Sequence, residues 1–310
     1  MGHAVVLGEA LVDLLDTEYD GAPVYRQAIG GGPLNVAVGV ARLGGTVQFV
    51  GSLGDDVLAG RIRAFLTGAG VGLAGAVTVA APTALAVATF SGPEPDFRFY
   101  GEPPSYGLLD ADQLDAELVS GAEVLYCGSI VLLCPATLAA ARRAWSLHTG
   151  RRVFDPNVRP RLLTGPTALA DLRAVVAEFA ASAHLVKLST ADAELLYPDQ
   201  PVESVAAYLR ELGAETVVVT LGADGALVAS GPELVRVPAP KIEAVDATGA
   251  GDSVMAALMA DLLADGEPAG PDGWVDRVAF ALRVAATVCE SPGGATAMPT
   301  RAQVQARFPG

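Results

Sequence analysis

The chain has 310 residues, with 20 Lys and Arg against 35 Asp and Glu, so its net charge is −15; 51% of it is apolar and 18% charged. That composition supports a large buried core rather than a disordered chain, and the length allows about one or two domains. The acidic balance argues against non-specific binding to nucleic acid or anionic membrane, both of which need a basic face, but leaves room for a local phosphate site.

In chain order, residues 4–7 read as a buried strand ended by Gly8. Residues 33–43 read as a helix with Pro33 at its start and Gly44-Gly45 as its stop. A strand at 46–50 and a helix from 56 to 66, with Asp55 or Asp56 as N-cap, come next. Later strands are expected at 123–127, 152–154, 184–188 and 216–220, with helices from Pro135, Thr167, Ser204, Gly251 and Asp272. Such alternation implies a mostly parallel sheet covered on both faces. Residues 24–29 and 83–100 break the rhythm. Residues 84–90 and 96–100 read as a hairpin with Ser91-Gly92-Pro93 in its loop. These segments suggest a small inserted β-flap; an edge extension of the main sheet is the other reading.

Met1-Gly2-His3-Ala4-Val5 lacks the basic region of a secretory signal. The longest apolar runs fall short of the roughly 20 residues a spanning helix needs. Cys127, Cys134 and Cys289 form no CxxC and an odd set, which suits a reducing, cytoplasmic setting.

The chemistry concentrates in Asp246-Ala247-Thr248-Gly249-Ala250-Gly251-Asp252-Ser253. It follows a strand-like stretch at 242–245 and opens an apolar helix at 254–263. A small-residue turn at a helix start leaves N–H groups free, and the helix dipole adds positive character, so an anion fits there. Asp252 has two readings: an acid that complements the dipole, or a general base beside a transferring phosphoryl group. Both can hold at once.

This segment resembles the C-terminal signature of the ribokinase-like (PfkB) carbohydrate kinases. Gly30-Gly31-Gly32-Pro33-Leu34-Asn35-Val36-Ala37, with Ala41-Arg42-Leu43-Gly44, is similar to their N-terminal signature, and Val50-Gly51-Ser52-Leu53-Gly54-Asp55-Asp56 and Gly60 also fit. The resemblance runs from Gly8 to about Pro299. It implies one three-layer α/β/α domain over residues 1–310, with a β-sheet lid at about 11–30 and 83–106. It also implies ATP-dependent phosphorylation of a sugar hydroxyl, with Asp252 as base and Gly249, Ala250 and Gly251 as anion hole. Asp13 would bind substrate hydroxyls, with Gly31, Gly32, Asn35, Tyr100 and Arg159 at the same sugar. For Asp13 a strand-end turn, for Asn35 an exposed helix position and for Arg159 a loop salt bridge are the plainer readings.

On the nucleotide side, the resemblance implies that Thr220, Gly222 and Gly225 in Thr216-Val217-Val218-Val219-Thr220-Leu221-Gly222-Ala223-Asp224-Gly225 lie at ATP. A glycine hairpin turn is the plainer reading. Lys187 and Ser189 would join them; an ordinary strand-end lysine is the other reading of Lys187. Ser189 and Asp192 stand where relatives carry an Asn-x-x-Glu pair that organises Mg²⁺, Asp192 acting through water, with Glu194 as the alternative acting acid. Asp246 and Thr248, with the loop at 291–294, match a monovalent-cation position in relatives, so K⁺ is an expectation.

Neither lysine, Lys187 or Lys241, follows a glycine, which excludes a Walker P-loop. The chain has no HExxH and no GxSxG, and its glycines do not form a Rossmann βα turn. Gly8-Glu9-Ala10-Leu11-Val12-Asp13 and Phe154-Asp155-Pro156-Asn157-Val158-Arg159-Pro160 resemble fructokinases and 2-keto-3-deoxygluconate kinases. In the latter an arginine after a flap Tyr-Tyr pairs with the substrate carboxylate; here Gly101 stands in its place, leaving Arg98 or Arg159 as substitutes. A neutral ketohexose, fructose first, is therefore expected, with ketodeoxygluconate, a nucleoside, or an inactive binding role as alternatives. No nucleic-acid or membrane partner is expected. The exposed lid edges invite a homodimer.

Overall fold

The computed structural model describes residues 2–90 and 95–309. The loop expected at Ser91-Gly92-Pro93 lies outside the described residues. Along the chain, β1 (Ala4–Leu7), β2 (Leu11–Tyr19) and β3 (Ala22–Gly30) precede α1 (Gly32–Arg42). Then come β4 (Val47–Leu53), α2 (Val57–Gly68), β5 (Gly72–Thr78), β6 (Leu85–Phe90), β7 (Pro95–Tyr100) and α3 (Ala116–Ser120). The middle holds β8 (Val124–Gly128), α4 (Pro135–Leu147), β9 (Arg151–Asp155), α5 (Ala168–Ala180), β10 (Leu185–Ser189), α6 (Thr190–Leu196), α7 (Val202–Leu212) and β11 (Thr216–Thr220). The chain ends with β12 (Ala226–Ser230), β13 (Glu233–Val237), α8 (Ala250–Asp265), α9 (Pro271–Cys289) and α10 (Arg301–Arg307).

Nine strands form the main sheet in the order β13-β12-β11-β10-β9-β8-β1-β4-β5. Its pairings are parallel from β5 to β11, and β12 and β13 add antiparallel. Strand alternation divides the core. Ala4 and Val6 of β1 pack with α1, α8 and α9, while Val5 and Leu7 pack with α4, α5 and α7 on the other face. This is the three-layer arrangement expected from the alternating pattern.

The four strands β3-β2-β6-β7 form a separate sheet, so the flap reading holds and the edge-extension reading does not. Asp20 and Gly21, at φ 52° and 73°, make the tight turn between β2 and β3. Residues 242–245, expected as a strand, are irregular. They have no strand to pair with; the Val245 N–H instead donates to Cys289 O at the end of α9 (2.8 Å).

Helix α8 is buried without a break from Asp252 to Leu262, as a helix enclosed on all sides must be. It lies between α1 and α9. A Cβ on Gly39 of α1 would stand 2.5 Å from the Ala256 methyl of α8. This close approach brings the start of α1 to the start of α8. Among the described residues, no helix is long and apolar enough to cross a membrane.

Candidate active site

A cavity of about 800 Å³ opens at the C-terminal ends of β1, β9, β10 and β11, between the main sheet and the small one. This is where an open parallel sheet leaves loops free to bind ligands. The start of α8 forms its centre. Gly249 takes the left-handed conformation (φ 78°) that ends the loop, and a Cβ there would stand 2.9 Å from Gly294. The Ala250 N–H donates to Ala247 O (3.1 Å) and the Ser253 N–H to Gly249 O (2.9 Å). The intervening amides of Gly251 and Asp252 are left for a ligand. Lys187 rises from β10 beneath them, its Nζ only 3.1 Å from where a Cβ on Gly251 would lie.

Asp252 does not cap its own helix, because no side chain bonds the amides at that end. Its Oδ2 accepts a hydrogen bond from Asn35 Nδ2 (2.8 Å) and its Oδ1 from Asn157 Nδ2 (3.1 Å). Each carboxylate oxygen keeps a further lone pair for a substrate hydroxyl. The dipole reading survives as charge complementarity in the first turn, and the geometry leaves the carboxylate able to act as a base. Asn35 is buried rather than exposed.

At one end of the cavity Asp13, Gly31, Gly32 and Arg159 join Asn35. Burial lifts the Asp13 carboxyl to about 7 against the opposing pull of the Arg159 guanidinium. Burial also lifts Glu9, in the same wall, to about 7 although Ser129 hydrogen-bonds it. Tyr100 is not brought to this site. Alternation along β7 turns Phe97 and Phe99 into the cavity and leaves Arg98 and Tyr100 exposed. That removes Arg98 as a carboxylate clamp as well.

At the other end Ser189, Asp192, Thr220, Gly222 and Gly225 line the cavity with Lys187. Lys187 is not a strand-end surface lysine. It is buried and paired with the fully buried Asp155 at 2.7 Å. The turn after β11 does join two antiparallel strands, as the hairpin reading has it, and its residues also line the cavity. Gly225 serves the hairpin: its φ is 99°, and a Cβ would meet Val237 O at 2.0 Å.

Ser189 and Asp192 form the capping box of α6. Asp192 Oδ2 accepts from Ser189 N–H (2.8 Å) and Oγ–H (2.6 Å), and Oδ1 accepts from Val158 N–H (2.8 Å). With three donors already on it, this carboxylate suits a hydrated hard cation only through water. Glu194 is exposed on α6 and is absent from the lining. Asp246 staples the loop before α8, taking the N–H groups of Thr248 (2.8 Å) and Gly293 (3.0 Å); of these, Thr248 lines the cavity.

Asn157 and Glu9 were not singled out from the sequence. For Asn157 the available signal was an Asn two residues past a strand end, in a positive-φ conformation that Asn tolerates; its φ is 37°. Among the described residues, the only group spaced for a metal, His184, Glu215 and Glu267, lies at the opposite end of the sheet. His184 Nδ1 accepts the Arg152 N–H (3.1 Å), which places the ring proton on the nitrogen facing Glu215 and leaves no lone pair there for an ion.

The raised carboxyls make stability pH-dependent with a definite sign. Glu9 and Asp13 hold their protons in the fold up to about pH 7, against ordinary values of 4.5 and 3.8. The folded state therefore binds more protons between those values, and the stability they contribute is lost as pH rises through 7. Asp155, raised to about 6, acts in the same sense. His148, lowered by burial, opposes it below its ordinary 6.5. Thermal melts of the ligand-free protein between about pH 5 and 8 are expected to fall more steeply for the wild type than for Asp13→Asn. Parallel curves would contradict this.

The model of the pfkB family of carbohydrate kinases matches residues 1–301. Fructokinase-1 of Zea mays is 33% identical over 311 aligned positions, which cover 97% of this chain and 95% of that protein. The structure of fructokinase with bound ATP from Xylella fastidiosa superposes with a TM-score of 0.87 at 27% identity, covering 98% of this chain and 97% of that one. Fructokinase from Vibrio cholerae O395, in its fructose, ADP and calcium ion bound form, gives 0.87 at 27% identity over 99% and 98% of the two chains. With both signature motifs converging on one cavity in this ribokinase-like fold, the chain belongs to the pfkB family of carbohydrate kinases.

Proposed function

We propose that this protein is an ATP-dependent fructokinase in which Asp252 is the general base. The observation that carries the reading is the start of α8. There a carboxylate held by two amides lies beside unpaired backbone N–H groups and a buried lysine. Phosphoryl transfer asks for little beyond positioning and charge stabilisation, and this arrangement offers both.

The sugar's primary hydroxyl loses its proton to Asp252 as its oxygen bonds to the γ-phosphorus. The bond from that phosphorus to the β–γ bridging oxygen breaks, and ADP departs. The free amides of Gly251 and Asp252 and the Lys187 ammonium stabilise the charge on the transferring group. Asp192 would hold Mg²⁺ through water, and the ion would supply neutralisation of phosphate charge. Thr220 and Gly222 support the nucleotide. The small sheet acts as a lid, with Phe97 and Phe99 excluding water from above the sugar.

The acceptor follows from charge. Asp13 and Asp252 face the sugar end with Arg159 as their nearby cation, and Arg159 is already engaged by Asn157 Oδ1 (2.7 Å). A neutral polyol suits that wall, where carboxyl groups exchange hydrogen bonds with several hydroxyls at fixed geometry; an acid sugar would bring its charge towards the Asp252 base and find Arg159 already engaged. A coupled ATPase screen over fructose, ketodeoxygluconate, ribose and adenosine tests this. Fructose is expected to give the highest kcat/KM, and a preference for ketodeoxygluconate would overturn the acceptor assignment.

A further inference from the structure

The two amide hydrogen bonds that hold Asp252 trace back to a single oxygen, Glu9 Oε1. That oxygen accepts the Gly32 N–H (3.1 Å) at the start of α1, and Asn35, three residues on, donates to Asp252 Oδ2. The same oxygen accepts Ser129 Oγ–H (2.7 Å). Ser129 N–H donates to Asp155 O (3.0 Å), Asp155 Oδ1 accepts the Asn157 N–H (3.1 Å), and Asn157 donates to Asp252 Oδ1.

The backbone on this second path is strained. Ser129 has φ 70° and ψ −157°, a region used almost only by glycine, and Asn157 is also at positive φ. Such conformations persist where surrounding bonds over-determine them, and Glu9 supplies one of those bonds. The paths converge in space as well. A Cβ on Gly32 would stand 2.4 Å from Asn157 Nδ2 and 3.4 Å from both Asp252 Oδ1 and Ser129 Oγ. The other Glu9 oxygen, Oε2, is buried and has no hydrogen-bond partner. Only the acceptor atom Oε1 is used, which a neutral amide can reproduce.

We propose that Glu9 is a positioning residue for Asp252: through Gly32 and Ser129 it sets the two amides that aim the base at the acceptor hydroxyl. This rests on the reading of Asp252 as base in a fructose-phosphorylating enzyme.

Steady-state kinetics on the full-length protein with fructose and ATP test it. Glu9→Ala is expected to lower kcat about 10- to 100-fold, the loss that a misplaced reacting group brings. The KM values for fructose and ATP should stay within about threefold of wild type. Glu9→Gln keeps the acceptor oxygen and should restore kcat to within about threefold of wild type, which a need for charge would not allow. Combining Glu9→Ala with Asn157→Ala should cost no more than the worse single change, because residues acting on one group are not additive. Fully additive losses, a raised fructose KM with unchanged kcat, or a Gln variant as slow as the Ala variant would each overturn the proposal. If Glu9→Ala does not fold, Glu9→Gln and Ser129→Gly carry the test: Gln below a tenth of wild-type kcat, or Ser129→Gly at full kcat, would overturn it. Wild-type and Asp252→Asn arms report separately on the underlying reading. A wild type inactive with fructose overturns both, whereas an active wild type with additive losses overturns the Glu9 role alone.

Discussion

Asp252→Asn is expected to lower kcat by about 10²- to 10⁴-fold, the usual contribution of a positioned base, while fructose still binds. The change is nearly isosteric, but it removes the proton acceptor. It also turns an NH₂ toward either Asn35 or Asn157, whose side-chain amides both donate to Asp252. One of those bonds is therefore lost and the side chain is held more loosely. The KM for ATP should change little, because the amides of Gly251 and residue 252 belong to the backbone. Isothermal titration with fructose, beside initial-rate kinetics, separates the two effects. A variant that keeps more than a few per cent of wild-type kcat would remove Asp252 as the base.

The second large effect concerns Lys187. Its ammonium is buried against the fully buried Asp155 carboxylate at 2.7 Å. Deleting one partner of such a pair strands the other, at a cost of about 3–5 kcal/mol. Lys187→Met should therefore lower the unfolding free energy by that order in urea titrations. It should also reduce kcat by about 10²- to 10³-fold, as loss of one preorganised charge at the transferring group does. Asp155→Asn in the same chain relieves the stranded carboxylate and can still accept the Asn157 N–H. The double variant should thus regain most of the stability and none of the turnover. A Lys187→Met protein as stable as wild type would show that the pair does not hold this wall together. A double variant with restored turnover would show that the cation has no part in transfer.

How far the sequence reveals this site depends on how local each signal is. Strands such as β1 and β11 carry runs of buried apolar residues, and α1 is bracketed by Pro33 and Gly44-Gly45, so both were legible. The strand β5, Gly-Leu-Ala-Gly-Ala-Val-Thr, was not: its small residues carry little β-propensity, and pairing with β4 makes it a strand. The β2–β3 turn was announced by Asp20-Gly21, a signal left unused.

At the site, glycines and acids that belong to motifs were legible by position, and Asp13, Gly31, Gly32 and Gly249 to Asp252 all line the cavity. Tyr100 failed because one step along a strand reverses the facing of a side chain. The Ser189 and Asp192 pair stands where the family resemblance puts an Asn-x-x-Glu pair, and the structure shows that the same two residues form the capping box of α6. Asn157 and Glu9 escaped because their roles are non-local. Asn157 meets Asp252 across 95 positions and Glu9 meets Ser129 across 120, distances over which no periodicity speaks.

The most direct measurement is a crystal structure of the wild-type protein with fructose and a non-hydrolysable ATP analogue. A free lone pair of Asp252 should lie within hydrogen-bond reach, about 2.6–3.2 Å, of the sugar's primary hydroxyl. The γ-phosphate should rest on the amides at the start of α8. A sugar bound with all its hydroxyls out of reach of that carboxylate, or a terminal phosphate seated elsewhere in the cavity, would contradict the assignment of Asp252 as the base.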